Sequence, residues 1–270
     1  MKVLRKAWAF LVRDLRTQMS YRLAFIMNVA GIFFSVAIFF FISKLLGSSI
    51  NPYLAQYGGN YFAFVIIGLA VSGFMGTSMG VFASSISTAQ AEGTLEVMLV
   101  TPTKLSEIVL FSSIWSFAFT AFNIMVYLLI GALVFGLNLS HANIPAAVLV
   151  LVLIVSIFSG IGIISASFIM VLKRGDPVSW LFGSVSGIMS GTFFPIQVLP
   201  TWLQKFSYVF PLFYGLHAMR LALLKGASFS TIAPNILVLT VFVIAIIPLS
   251  LVCFKYAVRR AKIDGSLATY

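Results

Sequence analysis

The sequence predicts an all-α integral membrane protein of six transmembrane helices, with an N-terminal interfacial helix and short re-entrant helices before the last span. Three observations carry this. Hydrophobic residues make up 61% of the 270-residue chain and charged residues only 9%, too little charge to wrap a soluble core of this size. Residues 45–91, 108–172, 177–204 and 226–254 contain no Asp, Glu, Lys or Arg. The basic residues that remain gather on the flanks of these runs. A helix of about 20 residues crosses the ~30 Å hydrocarbon layer with its backbone polar groups satisfied internally, so the chain holds about six such helices and little else.

Taken in order, residues 1–22 form a cytoplasmic interfacial segment. Lys2, Arg5, Lys6, Arg13, Arg16 and Arg22 precede the first apolar run, a basic flank that stays on the cytoplasmic side, with no signal-type cleavage site after a short core. Within it Leu4, Trp8, Leu11, Val12 and Leu15 recur at helical spacing, an apolar stripe suited to the lipid interface. Two readings stand side by side: a plain anchor, or an elbow that also touches a cytosolic partner. Span one covers about 23–43 and span two about 61–83, separated by a turn-rich stretch with Asn51, Pro52, Gly58 and Gly59. A loop over 84–107 leads to span three, about 108–136. Asn138, His141, Asn143 and Pro145 make a tight hairpin into span four, about 146–172, which stops at Lys173, Arg174, Gly175, Asp176 and Pro177.

Span five covers about 178–194. The region 195–231 carries Pro195, Pro200 and Pro211 with scattered charges at Lys205, Arg220 and Lys225. It is apolar for a loop and too broken for one straight span. A pair of short helices dipping into the outer half of the membrane, shielded by protein, fits that composition. Span six is about 232–254, followed by a cytoplasmic tail, 255–270. With the N-terminus inside, most of the 17 lysines and arginines and all six acids fall on the cytoplasmic side. The basic bias supports six spans with both termini in the cytoplasm, and the expected location is the plasma membrane of a bacterium or archaeon.

The 84–107 loop is the cytosolic feature with most information. Glu92 and Glu96 share one helical face, Leu95, Met98 and Leu99 the other, and Pro102 ends the turn. Such a helix could dock in a groove of a soluble subunit, or be a charged loop that only enforces topology. Gly76 and Gly80, with Ser72 and Ser84, recur every four residues in span two, and Gly183, Gly187 and Gly191 do so in span five. Both stripes permit close helix packing, or a helix that slides or kinks.

Several function classes are disfavoured. The net charge of +11 follows membrane orientation and offers no nucleic-acid platform. No span carries an ionisable relay for proton coupling. His141 and His217 are far apart in the outer loops, where hydrogen bonding is their expected role, and no metal or catalytic cluster accompanies them. Cys253 is the single cysteine and reads as apolar filler. A Gly-rich phosphate loop is missing, so energy for pumping would have to arrive through a partner.

Three pieces in order, Glu92-Gly93-Thr94-Leu95-Glu96-Val97-Met98-Leu99-Val100-Thr101-Pro102, then Ser190-Gly191-Thr192-Phe193-Phe194-Pro195-Ile196-Gln197-Val198-Leu199-Pro200, then Tyr208-Val209-Phe210-Pro211-Leu212 with Met219-Arg220, make the chain resemble the membrane subunit of a type 2 ABC exporter. The resemblance covers nearly the whole chain. It implies a permease that pairs with a second copy, or with a related permease, on two cytosolic ATP-binding cassette subunits. ATP and Mg would be held by those partners, with no cofactor in this chain. It also implies that Glu92–Thr101 is the helix gripped by the ATPase, that the N-terminal stripe is the interface helix, and that Pro195–Leu224 forms re-entrant helices near the outer exit. The substrate expected from an apolar, Phe- and Met-rich wall is an amphipathic drug-like molecule or lipid. Export of a lipid-linked glycan or polysaccharide is the first alternative, and a scaffold or an ATP-independent transporter the second.

Overall fold

The computed structural model describes Trp8, Val12, Leu15 and residues 21–46, 50–91, 105–172 and 176–263. All regular structure among them is helical: α1 (Arg22–Leu46), α2 (Asn51–Leu54), α3 (Tyr61–Ala91), α4 (Leu105–Leu133), α5 (Ile144–Leu172), α6 (Pro177–Met189), α7 (Thr201–Ser207), α8 (Pro211–Lys225) and α9 (Phe229–Ile263), with 3-10 turns at Ala55–Tyr57 and Ile196–Val198. Five of these, α1, α3, α4, α5 and α9, are long and apolar enough to cross a membrane. The chain is an all-α, multi-pass membrane protein.

Burial separates a centre from a periphery. The apolar stretch of α3 is 72% buried, while those of α1 and α9 are each 11% buried. One continuous core joins α3, α5, α8 and α9 through residues such as Ile67, Val71, Ile154, Phe158, Leu212, Leu216 and Leu239. Glycines set how close these helices come. A Cβ on Gly162 of α5 would lie 2.6 Å from the carbonyl oxygens of both Ser78 and Met79 in α3, and one on Gly160 would lie 2.6 Å from Ile246 of α9. Two positions apart on a helix is roughly opposite faces, so α5 is pressed backbone-close on both sides.

The stripes read from spacing behave differently. At Gly76, Gly80, Gly183 and Gly187 a side chain would meet nothing within 4 Å of its Cβ. Among the described residues no atom of a neighbouring element comes within 4 Å of a Cβ at these positions, although Gly80 borders an open groove toward α4, and the close helix contacts fall instead on Gly68, Gly160, Gly162 and Gly215. Periodicity reports which residues share a face and says nothing about what lies opposite it.

The helix expected over 178–194 ends at Met189. Its 13 residues rise about 20 Å, short of the ~30 Å apolar layer. Gly191 turns the chain with φ +75°, and Pro195 then enters an extended conformation. At its start, Pro177 occupies the first turn and the Asp176 carboxylate accepts the Ser179 N–H at 2.9 Å. Asp176 also accepts from the Ser165 hydroxyl of α5, so one side chain caps α6 and ties it to its neighbour. Asp176→Ala should lower stability by about 1–2 kcal/mol, read as an earlier unfolding transition of the purified protein in detergent.

The hairpin before α5 is held similarly. Asn143 caps α5 by accepting the Ala146 N–H, donates its amide to the Ala227 carbonyl at 2.9 Å, and donates its backbone N–H to Ala222. Gly226 ends α8 at φ +60°, where a Cβ would collide with the His141 carbonyl. The hairpin and the α8–α9 turn are therefore one packed unit.

Candidate functional site

The two short helices over 195–231 are α7 and α8. They bring a polar cluster together where the start of α3, the end of α6 and α8 meet. Arg220 is its centre. Read from sequence as one of several outward charges, Arg220 is only 2% exposed. Its Nε donates to the Phe64 carbonyl at 3.2 Å, and its Nη2 donates to the Gly191 and Thr192 carbonyls at 2.9 and 3.1 Å. The guanidinium lies 3.4 Å from the Phe64 ring centroid and 5.7 Å from that of Tyr57, close enough for cation–π attraction. Gly68 makes this possible: a Cβ there would meet the Thr192 carbonyl and sit 2.9 Å from Arg220 Nη2.

Tyr57 and His217 complete the cluster. Their hydroxyl and Nδ1 share a hydrogen bond of 2.7 Å. Burial pushes the Tyr57 phenol up, with the nearby Arg220 charge pulling the other way. His217 precedes Arg220 by three residues, which places both on one face of α8. Around them is a cavity of about 200 Å³, also bounded by Gln56, Ser190, Pro195, Gln197 and Tyr208. Ser190 is 1% exposed and its hydroxyl has no hydrogen-bond partner among the described residues.

Of the outer residues singled out from sequence, Pro195, Tyr208 and Arg220 meet at this cavity. Pro211 is buried in the first turn of α8, Phe194 and Leu199 are half-buried, and Pro200 is exposed before α7. Tyr57, Phe64 and Gly68 are cluster members that sequence reasoning missed; His217 was expected only to hydrogen-bond in an outer loop, as it does with Tyr57, and Ser190 stood only as the first residue of the segment that carries the family resemblance. The i, i+3 pairing of His217 with Arg220 was the one local signal.

A second feature is apolar. Trp115, Phe119 and Phe122 form a row along α4, with ring centroids 6.2 and 6.4 Å apart, and Phe25 of α1 continues it at 5.7 Å from Phe122. The spacing 115, 119, 122 places them on one helical face. They line a groove of about 570 Å³ between α1 and α4, with Leu15, Ile26 and Arg22 also in its wall. That is the size of a drug-like ligand site.

Of the N-terminal stripe, Trp8, Val12 and Leu15 are described, all three helical, with Trp8 and Leu15 exposed and Val12 half-buried. Leu4 and Leu11 lie outside the described residues, as do Glu92, Gly93, Thr94, Leu95, Glu96, Leu99, Thr101 and Pro102. Among the described residues no group of three or more His, Cys, Asp or Glu could hold a metal ion.

A multi-pass helical membrane protein is the class that this bundle defines. The chain belongs to the ABC-2 type transporter family, whose model matches residues 5–224. It is a membrane permease component of an ABC transporter, and members of the family are non-catalytic permeases. No curated protein matches the sequence.

Proposed function

We propose that this chain is the transmembrane subunit of an ATP-driven exporter that moves an amphipathic substrate, a drug-like molecule or a lipid, outward through a pathway between two permease copies. The family match over residues 5–224 carries the transporter class. The aromatic groove between α1 and α4 supports the substrate class, because its walls offer stacking and apolar contact, with the cation of Arg22 available for a polar end. Both ends of the chain are cytoplasmic in this reading, so the groove lies in the inner half of the membrane, where an amphipath would arrive. The short helices α7 and α8 are re-entrant on the outer side, and α6 completes the sixth crossing together with the turn after it.

Two copies of a cytosolic ATPase supply the work. Closure of the ATPase pair pushes on residues 92–101 of each permease, helix tilts change, and the pathway opens outward. The open faces at Gly76, Gly80, Gly183 and Gly187 are where a second permease would pack, since small residues let backbones approach in lipid.

Replacing Glu92 and Glu96 together with Ala should depress substrate-stimulated ATPase activity of the reconstituted complex by about tenfold, the equivalent of about 1.4 kcal/mol of docking energy. Expression and membrane insertion should be unchanged. Full activity and full assembly in the double variant would remove the docking role.

A further inference from the structure

We propose that the cavity beside Arg220 is a binding site for a single phosphate-class oxyanion, delivered either as a lipid headgroup or as a free phosphate group. This goes beyond the transport reading and does not depend on it, because the site is defined by the folded chain alone.

The first argument is charge. Arg220 is buried and, as a guanidinium, stays protonated. The carbonyls of Phe64, Gly191 and Thr192 take its Nε and Nη2 donors and the Tyr57 hydroxyl lies within reach of the same guanidinium, so among the described residues no carbonyl takes the Nη1 donors of the fork. Asp176 is the one carboxylate whose side chain the described residues include, and it caps the opposite end of α6, about 20 Å from the Gly191 turn. A buried cation faced only by neutral dipoles is costly, and a bound anion offsets that cost.

The second argument is the Ser190 hydroxyl, buried, without a partner and lining the same cavity. A buried donor left unmade costs about 1–3 kcal/mol. A staple of Arg220 onto carbonyls explains the guanidinium geometry but leaves this hydroxyl and the void beside it without a role. An oxyanion accepts from both.

The third is lining and size. Gln56, Tyr57, Gln197 and His217 supply further polar groups, and among the described residues no acid lines the cavity. That selects against a metal cation, which needs anionic oxygen ligands. At about 200 Å³ the cavity is below the roughly 300–1,000 Å³ of drug-sized sites, so it suits a headgroup or an inorganic anion and excludes the body of an amphipathic substrate.

The test uses the full chain purified in a neutral detergent and phosphate-free buffer. One arm titrates inorganic phosphate and follows the melting transition. The other adds phosphatidylglycerol, with the phosphate-free glycolipid monoglucosyldiacylglycerol as control, and follows bound lipid by native mass spectrometry. Two variants accompany the wild type. Gln197→Glu adds a negative charge at an exposed side chain of the rim, and Ser190→Ala removes the unpartnered hydroxyl. Saturable binding in the wild type, weakened at least tenfold by Gln197→Glu and about threefold by Ser190→Ala, is the expected result. Saturation by inorganic phosphate alone identifies a free phosphate group, and saturation only by phosphatidylglycerol identifies a headgroup. Absence of binding in both arms, binding of the glycolipid as tight as that of phosphatidylglycerol, or affinities that neither variant changes would overturn the site.

Discussion

Gly162→Leu should be the most damaging single substitution in the bundle core, with little folded protein recovered from membranes. A side chain at this position would begin 2.6 Å from two backbone carbonyl oxygens of α3, and carbonyls inside a helix cannot swing aside as a side chain can. The strain could be relieved only by driving α3 and α5 apart. That separation would open the layer of Met79, Ile157, Phe158 and Ile161. Overpacking costs about 1–3 kcal/mol where neighbours can adjust, and here the upper end applies because α5 is clamped against α9 on its other side. Size-exclusion profile and melting transition of the detergent-solubilised variant measure it. Gly76→Leu, on α3 rather than α5 and with open space at its Cβ, should leave the protomer's melting transition close to wild type. If a second permease packs on that face, the same variant loses dimer in cross-linking. A folded, normally melting Gly162→Leu protein would show that the α3–α5 contact is not the close approach described above.

What the chain declares in advance follows from what the bilayer demands. Solvent of uniform low polarity imposes length and composition on any helix that crosses it, so charge-free runs mark α1, α3, α4, α5 and α9 directly. The same criterion fails at 177–204, where the run continues past Met189 although the helix does not. Hydropathy cannot see a glycine at positive φ followed by an extended proline. Glycine stripes show a related limit: Gly162 carries a tight contact without belonging to any repeat, and Gly68, four residues before Ser72, carries one where Gly76 and Gly80 at the same spacing do not, because what these positions meet comes from residues far away in the chain. The polar cluster was the least legible part. Arg220 reaches Phe64, 156 positions earlier, and an arginine in a turn-rich segment with Lys205 and Lys225 carries no local mark of burial. By contrast, the carboxylate pair at Glu92 and Glu96 is described by sequence alone.

Arg220→Met should destabilise the outer half of the protein by about 2–6 kcal/mol, because two turn carbonyls, of Gly191 and Thr192, lose their donor while staying buried, at about 1–3 kcal/mol each. Phe64 suffers less, since a carbonyl within α3 keeps its helical partner. Lysine should not rescue. Its ammonium is a point charge on a flexible stem, whereas the guanidinium fork spans carbonyls on two separate segments and stacks on the Phe64 ring. Gly68→Ala provides an independent route to the same failure: the added methyl would collide with the Thr192 carbonyl and crowd Arg220 Nη2, so the turn after α6 should be displaced with the arginine still present. If both variants act through this one tether, the double variant melts close to the worse single one, and the shortfall from additivity measures the coupling. Hydrogen exchange localises the effect. Protection should be lost first over 190–200 and at the start of α3, while the amides of α5 and α9 retain theirs. Additive losses, or an exchange pattern spread evenly over the bundle, would place the stabilising role of Arg220 elsewhere than in the fastening of the α6 turn to α3.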